Sequence, residues 1–293
     1  MNGILLIDKP QDFTSFDVVA VVRRKFGTKK VGHGGTLDPM ATGVLPVFIG
    51  SATKAVDLLP DSGKSYRAGF RLGLTSDTLD IWGELSEEKP VNIEKERLEA
   101  VLERFRGEIE QTPPMYSALK VGGKKLCDLA RQGIEVERKS RKITISRLDL
   151  LDFDGKNGKI EVDCSTGTYI RSLVDDIGKA LGTGAVMTEL RRTRACGFTL
   201  DGCFSVDDVK TKPQEALRLL ETESVFRNCP AAALDEVQTR MYLNGVRLDA
   251  ERLSEKPPKE VLLRVYGSGG AFLGVGKANG EGELVSVKRF ANE

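Results

Sequence analysis

Val31-Gly32-His33-Gly34-Gly35-Thr36-Leu37-Asp38-Pro39-Met40-Ala41-Thr42-Gly43-Val44-Leu45 holds the only histidine of the chain and four glycines in fifteen residues. Such a backbone turns sharply and stays open to close approach. Asp38 sits inside the turn and is followed by Pro39, which lacks an N–H and holds the residue before it in extended conformations. Directly afterwards, Val44-Leu45-Pro46-Val47-Phe48-Ile49 is an unbroken apolar run of strand length, which predicts a buried strand entering a core. A carboxylate on a loop at the mouth of a buried strand is well presented to a substrate. An isolated Gly/Asp loop is more often a plain surface turn, so the surrounding stretches decide its meaning.

Upstream, Gly3 to Ile7 reads as a strand. Thr14 and Asp17 have the spacing of a capping box, with Asp in place of Glu or Gln. Val18, Val19, Val21, Val22 and Phe26 follow at helical spacing up to Gly27, a natural stop. Downstream, Ala52 to Leu59 predicts a short helix closed by Pro60, and Ser65 to Leu72 alternates as a half-exposed strand would. Ile93 to Arg106 predicts an amphipathic helix with Leu98, Val101, Leu102 and Phe105 on one face. Ile143 to Phe153 and Lys159 to Cys164 predict paired strands about the turn Asp154-Gly155-Lys156-Asn157-Gly158. A helix is expected from Tyr169 to Leu181, then a strand from Met187 to Leu200 bearing Arg191, Arg192 and Arg194, then a helix from Pro213 to Leu220. From Phe226 onward the texture changes to short apolar strands with glycine turns, which predicts a small β-barrel or sandwich.

At 293 residues there is room for one large domain or two unequal ones, and 40% hydrophobic with 30% charged residues suits a soluble globular protein. No apolar run approaches the roughly 20 residues that span a bilayer. Ile4-Leu5-Leu6-Ile7, with Asp8 next, reads as a strand rather than a signal peptide. Five scattered cysteines without a C-x-x-C pair suit a reducing cytosol. With a single histidine they do not complete a usual zinc site, which argues against a zinc deaminase or metalloprotease. The net charge of +1 conceals segregation. Val18 to Leu37 holds Arg23, Arg24, Lys25, Lys29 and Lys30 and no acid. Met115 to Lys142 holds eight basic residues against Asp128, Glu135 and Glu137, while Asp77 to Gln111 is rich in Glu. Segregation of this kind suits a polyanionic partner, although each run taken alone is as often a solvated face.

Several motifs fail on inspection. Gly63-Lys64-Ser65 lacks the glycine a P-loop needs five positions before Gly63, where Leu58 stands, and Gly276-Lys277 is followed by Ala278 rather than a hydroxyl residue. The glycines from Gly267 to Gly276 show no clean G-x-G-x-x-G, and no G-x-S-x-G elbow is present. Nucleotide hydrolysis and serine hydrolase chemistry have little support. Thr112-Pro113-Pro114-Met115-Tyr116-Ser117-Ala118-Leu119-Lys120-Val121-Gly122-Gly123-Lys124-Lys125 is proline-bounded, glycine-jointed and basic, and is expected to project as an arm rather than pack in the core.

Six ordered blocks together resemble the bacterial tRNA pseudouridine synthase B (TruB) family from end to end. They are Leu5-Leu6-Ile7-Asp8-Lys9-Pro10, the loop Val31 to Pro46, Lys64-Ser65-Tyr66-Arg67, Pro114-Met115-Tyr116-Ser117-Ala118-Leu119-Lys120, Cys164-Ser165-Thr166-Gly167-Thr168-Tyr169-Ile170-Arg171 and Leu190-Arg191-Arg192. The resemblance implies an α+β fold, with a large mixed or antiparallel sheet flanked by helices in residues 1–225 and a small β-rich PUA-like RNA-binding domain in residues 226–293. The basic arm then falls at about residues 113–142 of the catalytic domain. The implied activity converts a uridine in the T-loop of tRNA (position 55) to pseudouridine with no metal and no organic cofactor. The implied partner is the T-arm of tRNA, with the C-terminal domain on the acceptor-stem side. A cytoplasmic monomer without membrane association is expected.

The resemblance also assigns roles. Asp38 is the catalytic carboxylate, acting as nucleophile or as partner of a cationic sugar on a base flipped out of its stack. His33 fills the space the base leaves. Tyr66 stacks on the base, a contact worth roughly 1–3 kcal/mol, and relays the C5 proton. Arg171 pairs with Asp38 and orients it; Tyr169 and Leu190 line the uracil pocket; Lys9 and the arm grip backbone phosphates. From pattern alone, Tyr66, Tyr169 and Leu190 are packing residues and His33 a loop histidine. Position 34 is glycine where the resemblance leads one to expect threonine. That departure motivates a second reading, a tRNA-binding and folding module with catalysis secondary.

Overall fold

The computed structural model describes residues 1–60 and 63–290. In chain order its elements begin β1 (Gly3–Lys9), α1 (Ser15–Phe26), β2 (Val31–His33), β3 (Thr42–Ile49), β4 (Lys64–Leu72), α2 (Lys95–Glu103), β5 (Gly107–Gln111), β6 (Lys120–Val121), β7 (Lys124–Lys125) and α3 (Leu126–Ala130). There follow β8 (Arg141–Phe153), β9 (Asn157–Cys164), α4 (Ile170–Leu181), β10 (Ala185–Ala195), β11 (Phe198–Thr199), β12 (Phe204–Ser205) and α5 (Val206–Thr211). The last are β13 (Ala231–Ala233), α6 (Glu236–Leu243), β14 (Leu248–Asp249), β15 (Leu262–Tyr266), β16 (Phe272–Ala278) and β17 (Glu283–Arg289). The chain divides into two compact units.

One unit is Met1–Leu37, Val44–Ser62 and Ala195–Glu293. Here β1 lies between β12 and β3, parallel to β12, and β2 pairs antiparallel with β3. Helix α1 forms because Thr14 and Asp17 close the predicted capping box, the Thr14 N–H donating to Asp17 Oδ2 at 2.8 Å and the Asp17 N–H to Thr14 Oγ1 at 3.1 Å. Gly27 ends it in the left-handed region at φ 61°. Val18, Val19 and Val22 then bury against Leu5, Ile7, Leu45 and Val47. The C-terminal strands form a separate sheet, ordered β13–β15–β16–β17–β14 around Leu263, Val265 and Leu284, so the expected short strands are present as one five-stranded sheet.

The other unit is Asp38–Gly43 and Gly63–Arg194. Its strands run β10–β4–β9–β8–β5, antiparallel from β4 outward. The first residues of β3 pair parallel with β10, so the sheet is mixed. Helices α2 and α4 pack on each other, α2 against β8 and α4 against β4. Leu98, Val101 and Leu102 on α2 are buried, as are Ile170, Leu173, Val174 and Ile177 on α4. The fold is therefore the expected α+β class.

Four expectations need correction. Pro213 to Leu220 is not a helix but a single 3₁₀ turn, Gln214–Ala216, because Leu220 exchanges two backbone hydrogen bonds of 2.8 Å with Ile4 instead. The helix after the Asp38 loop is also 3₁₀ throughout, Gly50–Leu58. The strand expected to reach Leu200 breaks after Ala195, where Cys196 and Gly197 both have positive φ. The arm is exposed at the hairpin β6–β7 and over residues 131–135, but Pro113, Pro114, Ser117, Leu126 and Leu129 are buried, so it packs in part. Strand β4 is half-exposed as expected: Tyr66, Ala68, Phe70 and Leu72 are buried, while Arg67 on the other face is exposed and Arg71 part-exposed. No helix among the described residues is long and apolar enough to cross a membrane.

Candidate active site

Asp38 begins a short turn in which the Ala41 N–H donates to the Asp38 carbonyl at 3.0 Å, and its carboxylate stays partly exposed. Facing it is Arg171, in the first turn of α4. That helix has no side-chain cap from Tyr169; Gln111 serves instead, accepting from the Tyr169 N–H at 2.8 Å and donating to its carbonyl at 3.0 Å. A cation in a first helical turn opposes the helix dipole, so Arg171 needs partners. Nη2 lies 2.9 Å from Asp38 Oδ2 and also donates to the Tyr116 carbonyl at 2.9 Å. Nη1 donates to the Thr78 carbonyl at 2.8 Å, and Nε lies 3.7 Å from Asp80 Oδ2. Arg171 is only 5% exposed and Asp80 7%. Asp80 is itself fixed by the Thr78 hydroxyl at 2.8 Å and the Trp82 N–H at 3.0 Å. The result is a buried guanidinium shared by two carboxylates, of which only Asp38 reaches solvent.

Tyr66 is the second expected site residue in this unit. On β4, opposite Val162 of β9, it is 6% exposed, and its hydroxyl is hydrogen-bonded to the side chain of Arg192. Burial pushes the phenol up to about 12, against the opposing pull of the Arg192 cation, so Tyr66 is neutral at physiological pH. Arg192 is fully buried and, two residues beyond buried Leu190, shares its face of β10. The same strand secures the Asp38 turn: Arg191 lies opposite Thr42, and its Nη1 donates to the Thr42 hydroxyl at 3.2 Å. Gly43 opposite Arg192 has φ 109°, and any Cβ there would overlap the Arg192 carbonyl. Tyr169 lies half-buried under the Arg141 guanidinium, 5.2 Å from its ring centre.

Thus Asp38, Tyr66, Tyr169, Arg171 and Leu190 all belong to one unit, while His33 and Lys9 belong to the other. His33 ends β2 half-buried, its Nδ1 accepting from the Gly35 N–H at 3.3 Å. Lys9 does not stand where a phosphate could reach it. It is fully buried, and its ammonium donates to the carbonyls of Pro10 at 2.8 Å and Phe13 at 2.6 Å, fixing the chain between β1 and α1. Burying a lysine requires such partners, and its role is structural. Gly34 is explained by its own neighbours. It is buried, its N–H donates to the Pro46 carbonyl at 2.9 Å, and its carbonyl accepts from the Cys196 thiol at 3.3 Å. A Cβ there would stand 2.7 Å from Cys196 Sγ and 3.1 Å from the Phe48 ring. A threonine does not fit beside this cysteine.

Sequence reasoning missed Asp80, Arg192 and Gln111. The i, i+2 spacing of Leu190 and Arg192 on a strand carried the signal for Arg192. Asp80 had only its place in Asp77-Thr78-Leu79-Asp80 to mark it. Among the described residues, no cluster of three or more His, Cys, Asp or Glu is placed to hold a metal ion.

A partly exposed carboxylate held by a buried arginine, in a unit that also carries a basic arm, suits nucleophilic or electrostatic catalysis on a polyanionic substrate. The chain belongs to the TruB family of pseudouridylate synthases. The model of that family's N-terminal domain matches residues 23–170. Models described as the tRNA pseudouridylate synthase B C-terminal domain and as pseudouridine synthase II TruB, C-terminal, match residues 171–244 and 230–289. Among curated relatives, the tRNA pseudouridine synthase B of Chromobacterium violaceum is 44% identical over 100% of this chain and 96% of its own. That of Clostridium tetani is 43% identical over 96% and 97%. Among solved structures, an H/ACA RNP bound to a substrate RNA containing 2′-deoxyuridine aligns with TM-score 0.74 at 25% identity, covering 99% of this chain and 85% of the other. A Cbf5–Nop10–Gar1 complex aligns with TM-score 0.74 at 27% identity, over 98% and 84%.

Proposed function

We propose that this chain isomerises uridine to pseudouridine in tRNA, at position 55 of the T-loop, with Asp38 as the catalytic carboxylate. The observation that carries the assignment of Asp38 is the 2.9 Å pair with Arg171 in a chain of this family. The reaction breaks the C1′–N1 bond and forms a C1′–C5 bond; C5 gives up its proton and N1 gains one, so composition and oxidation state are unchanged. A carboxylate is sufficient to take the developing positive charge of the sugar, covalently or by attraction. The target base must leave its stack to be reached. Arg171 orients Asp38; Tyr66 stacks on the flipped uracil and relays the C5 proton; Tyr169 and Leu190 line its pocket. His33 takes the vacated space in the loop. Lysines of the exposed β6–β7 hairpin grip T-arm phosphates. Residues 226–293 act as a PUA-like domain on the acceptor-stem side of a catalytic domain in residues 1–225. The protein works in the cytoplasm as a monomer.

The test is Asp38→Asn, incubated with unmodified tRNA and mapped for pseudouridine. Wild-type protein should modify the T-loop uridine, and the variant should lose at least about three orders of magnitude in rate while tRNA affinity stays within severalfold. A variant that still restored function in cells lacking the synthase would make tRNA folding, not isomerisation, the activity that matters.

A further inference from the structure

The β5–β8 ladder ends with Gln111 opposite Arg141, and the arm is the chain that runs between them. Both side chains of this pair reach one short segment, Ser165 to Tyr169, which joins β9 to α4. Gln111, 2% exposed, grips the backbone of Tyr169: its Oε1 accepts from the N–H at 2.8 Å and its Nε2 donates to the carbonyl at 3.0 Å. Arg141 meets the ring. Its guanidinium lies over the Tyr169 face, 5.2 Å from the ring centre, and its Nη2 donates to the Gly167 carbonyl at 2.6 Å. Gly167 has φ 90°, which favours glycine, and a Cβ there would stand 3.4 Å from Arg141 Cζ. Thr144, further along β8, ties down the other end of the segment. Its N–H donates to the Ser165 hydroxyl at 2.9 Å, and its carbonyl accepts from the Ser165 N–H at 2.8 Å. Arg141 Nε is buried and meets no hydrogen-bond acceptor among the described residues. A buried N–H without an acceptor is costly, so hydrogen bonding alone does not account for this guanidinium. The face of the Tyr169 ring does, because a cation withdrawn from water is strongly attracted to it.

We infer that Arg141 is a positioning residue, a clamp that sets the ring of Tyr169 in the uracil pocket while Gln111 fixes the backbone beneath it. This rests on the isomerase reading above, in which Tyr169 lines that pocket. With the guanidinium over one face, only the other face, the edge and the hydroxyl of Tyr169 are left to meet a flipped base. The clamp is itself anchored, since Arg141 starts a strand of the sheet and its charged hydrogen bond goes to backbone. Phosphate contacts supply much of the affinity for a polyanion. A pocket ring that has lost its orientation therefore costs rate more than binding.

Arg141→Met keeps an apolar stem of similar length and removes the cation. In the full chain, single-turnover pseudouridine formation at saturating tRNA should fall about tenfold, while tRNA affinity changes less than about threefold. In the Tyr169→Leu background, where no ring is left to hold, Arg141→Met should slow the reaction less than about twofold further. Urea unfolding of the same four proteins reads the contact without activity. The double variant should show a midpoint shift clearly smaller than the sum of the two single shifts. A lowered midpoint with an unchanged rate, a loss expressed equally in affinity, or additive rate effects in the Tyr169→Leu background would overturn the clamp. If wild-type protein formed no pseudouridine the isomerase reading would fail, and urea would still decide: strictly additive midpoint shifts would overturn the clamp by themselves.

Discussion

Arg171 and Arg192 are both buried in the same unit, and the protein uses them in opposite ways. Arg171 reaches into three segments far apart in the chain: the Asp38 turn, the Thr78–Asp80 turn and the arm root at Tyr116. Two of them are also pinned to β10 by backbone pairing, Thr42 with Arg191 and Asp80 with Met187, and the shared charge ties them to the arm root, which has no such pairing to that strand among the described residues. Arg192 sits inside β10, where register already fixes its backbone opposite Gly43, and its side chain meets the Tyr66 hydroxyl. One arginine organises irregular chain; the other completes regular chain. The Asp38 carboxylate is therefore oriented by a shared charge, whereas the Tyr66 phenol is placed by the sheet.

The largest effect that separates them should come from Arg171→Met. It strands buried Asp80 beside Asp38 without a cation, which should cost about 3–5 kcal/mol, read as a lowered urea midpoint, together with loss of detectable pseudouridine formation. Adding Asp80→Asn should return part of the stability and none of the activity. If Arg171→Met alone proved as stable as wild-type, the shared-charge account of the loop would be wrong. Arg192→Met should cost less, about 1.5–3 kcal/mol, because β10 keeps its register without it. Combined with Tyr66→Phe, the loss should be clearly smaller than the sum of the single losses; strict additivity in the same urea series would uncouple the two residues.

This contrast also explains what could be read in advance. Regular elements announce themselves through period: the valines of α1, its Thr14–Asp17 box and Gly27, and the β8–β9 hairpin all stand where their spacing predicts. The burial of Leu190 and Arg192 together follows from alternation once the strand is known. Asp38 and Arg171 were legible only through resemblance, since neither lies in a periodic pattern that brings them together. Asp80 and Gln111 act on residues 91 and 58 positions away in sequence, and no local signal encodes such pairing. Lys9 shows the converse failure. A lysine beside a proline reads as a surface cation, and only the fold reveals the Pro10 and Phe13 carbonyls that make its burial tolerable. The helix expected at Pro213 to Leu220 failed for a related reason, because its backbone groups found Ile4 as a long-range partner.

The smallest effect concerns alkaline pH, and it isolates the sheet-held side of the comparison. Tyr66 keeps its proton in the folded protein to about 12, against an ordinary value of 10.0 once unfolded. Between these limits the unfolded chain loses a proton that the folded chain retains, so folding stability is fully present below pH 10 and declines as pH rises toward 12. The shift corresponds to no more than about 3 kcal/mol at the top of that window. Cys164, pushed up by burial to about 11 from 9.0, contributes a decline of the same sign beginning one pH unit lower. Urea titrations at successive pH values should show Tyr66→Phe losing less stability than wild-type between pH 10 and 12, with the earlier Cys164 phase common to both. Arg192→Met should extend the Tyr66 phase to still higher pH, since the cation that opposes the effect of burial is gone. A decline of equal steepness in all three proteins would mean that Tyr66 does not titrate against Arg192, and that the phenol owes its protonation to something other than the strand that holds it.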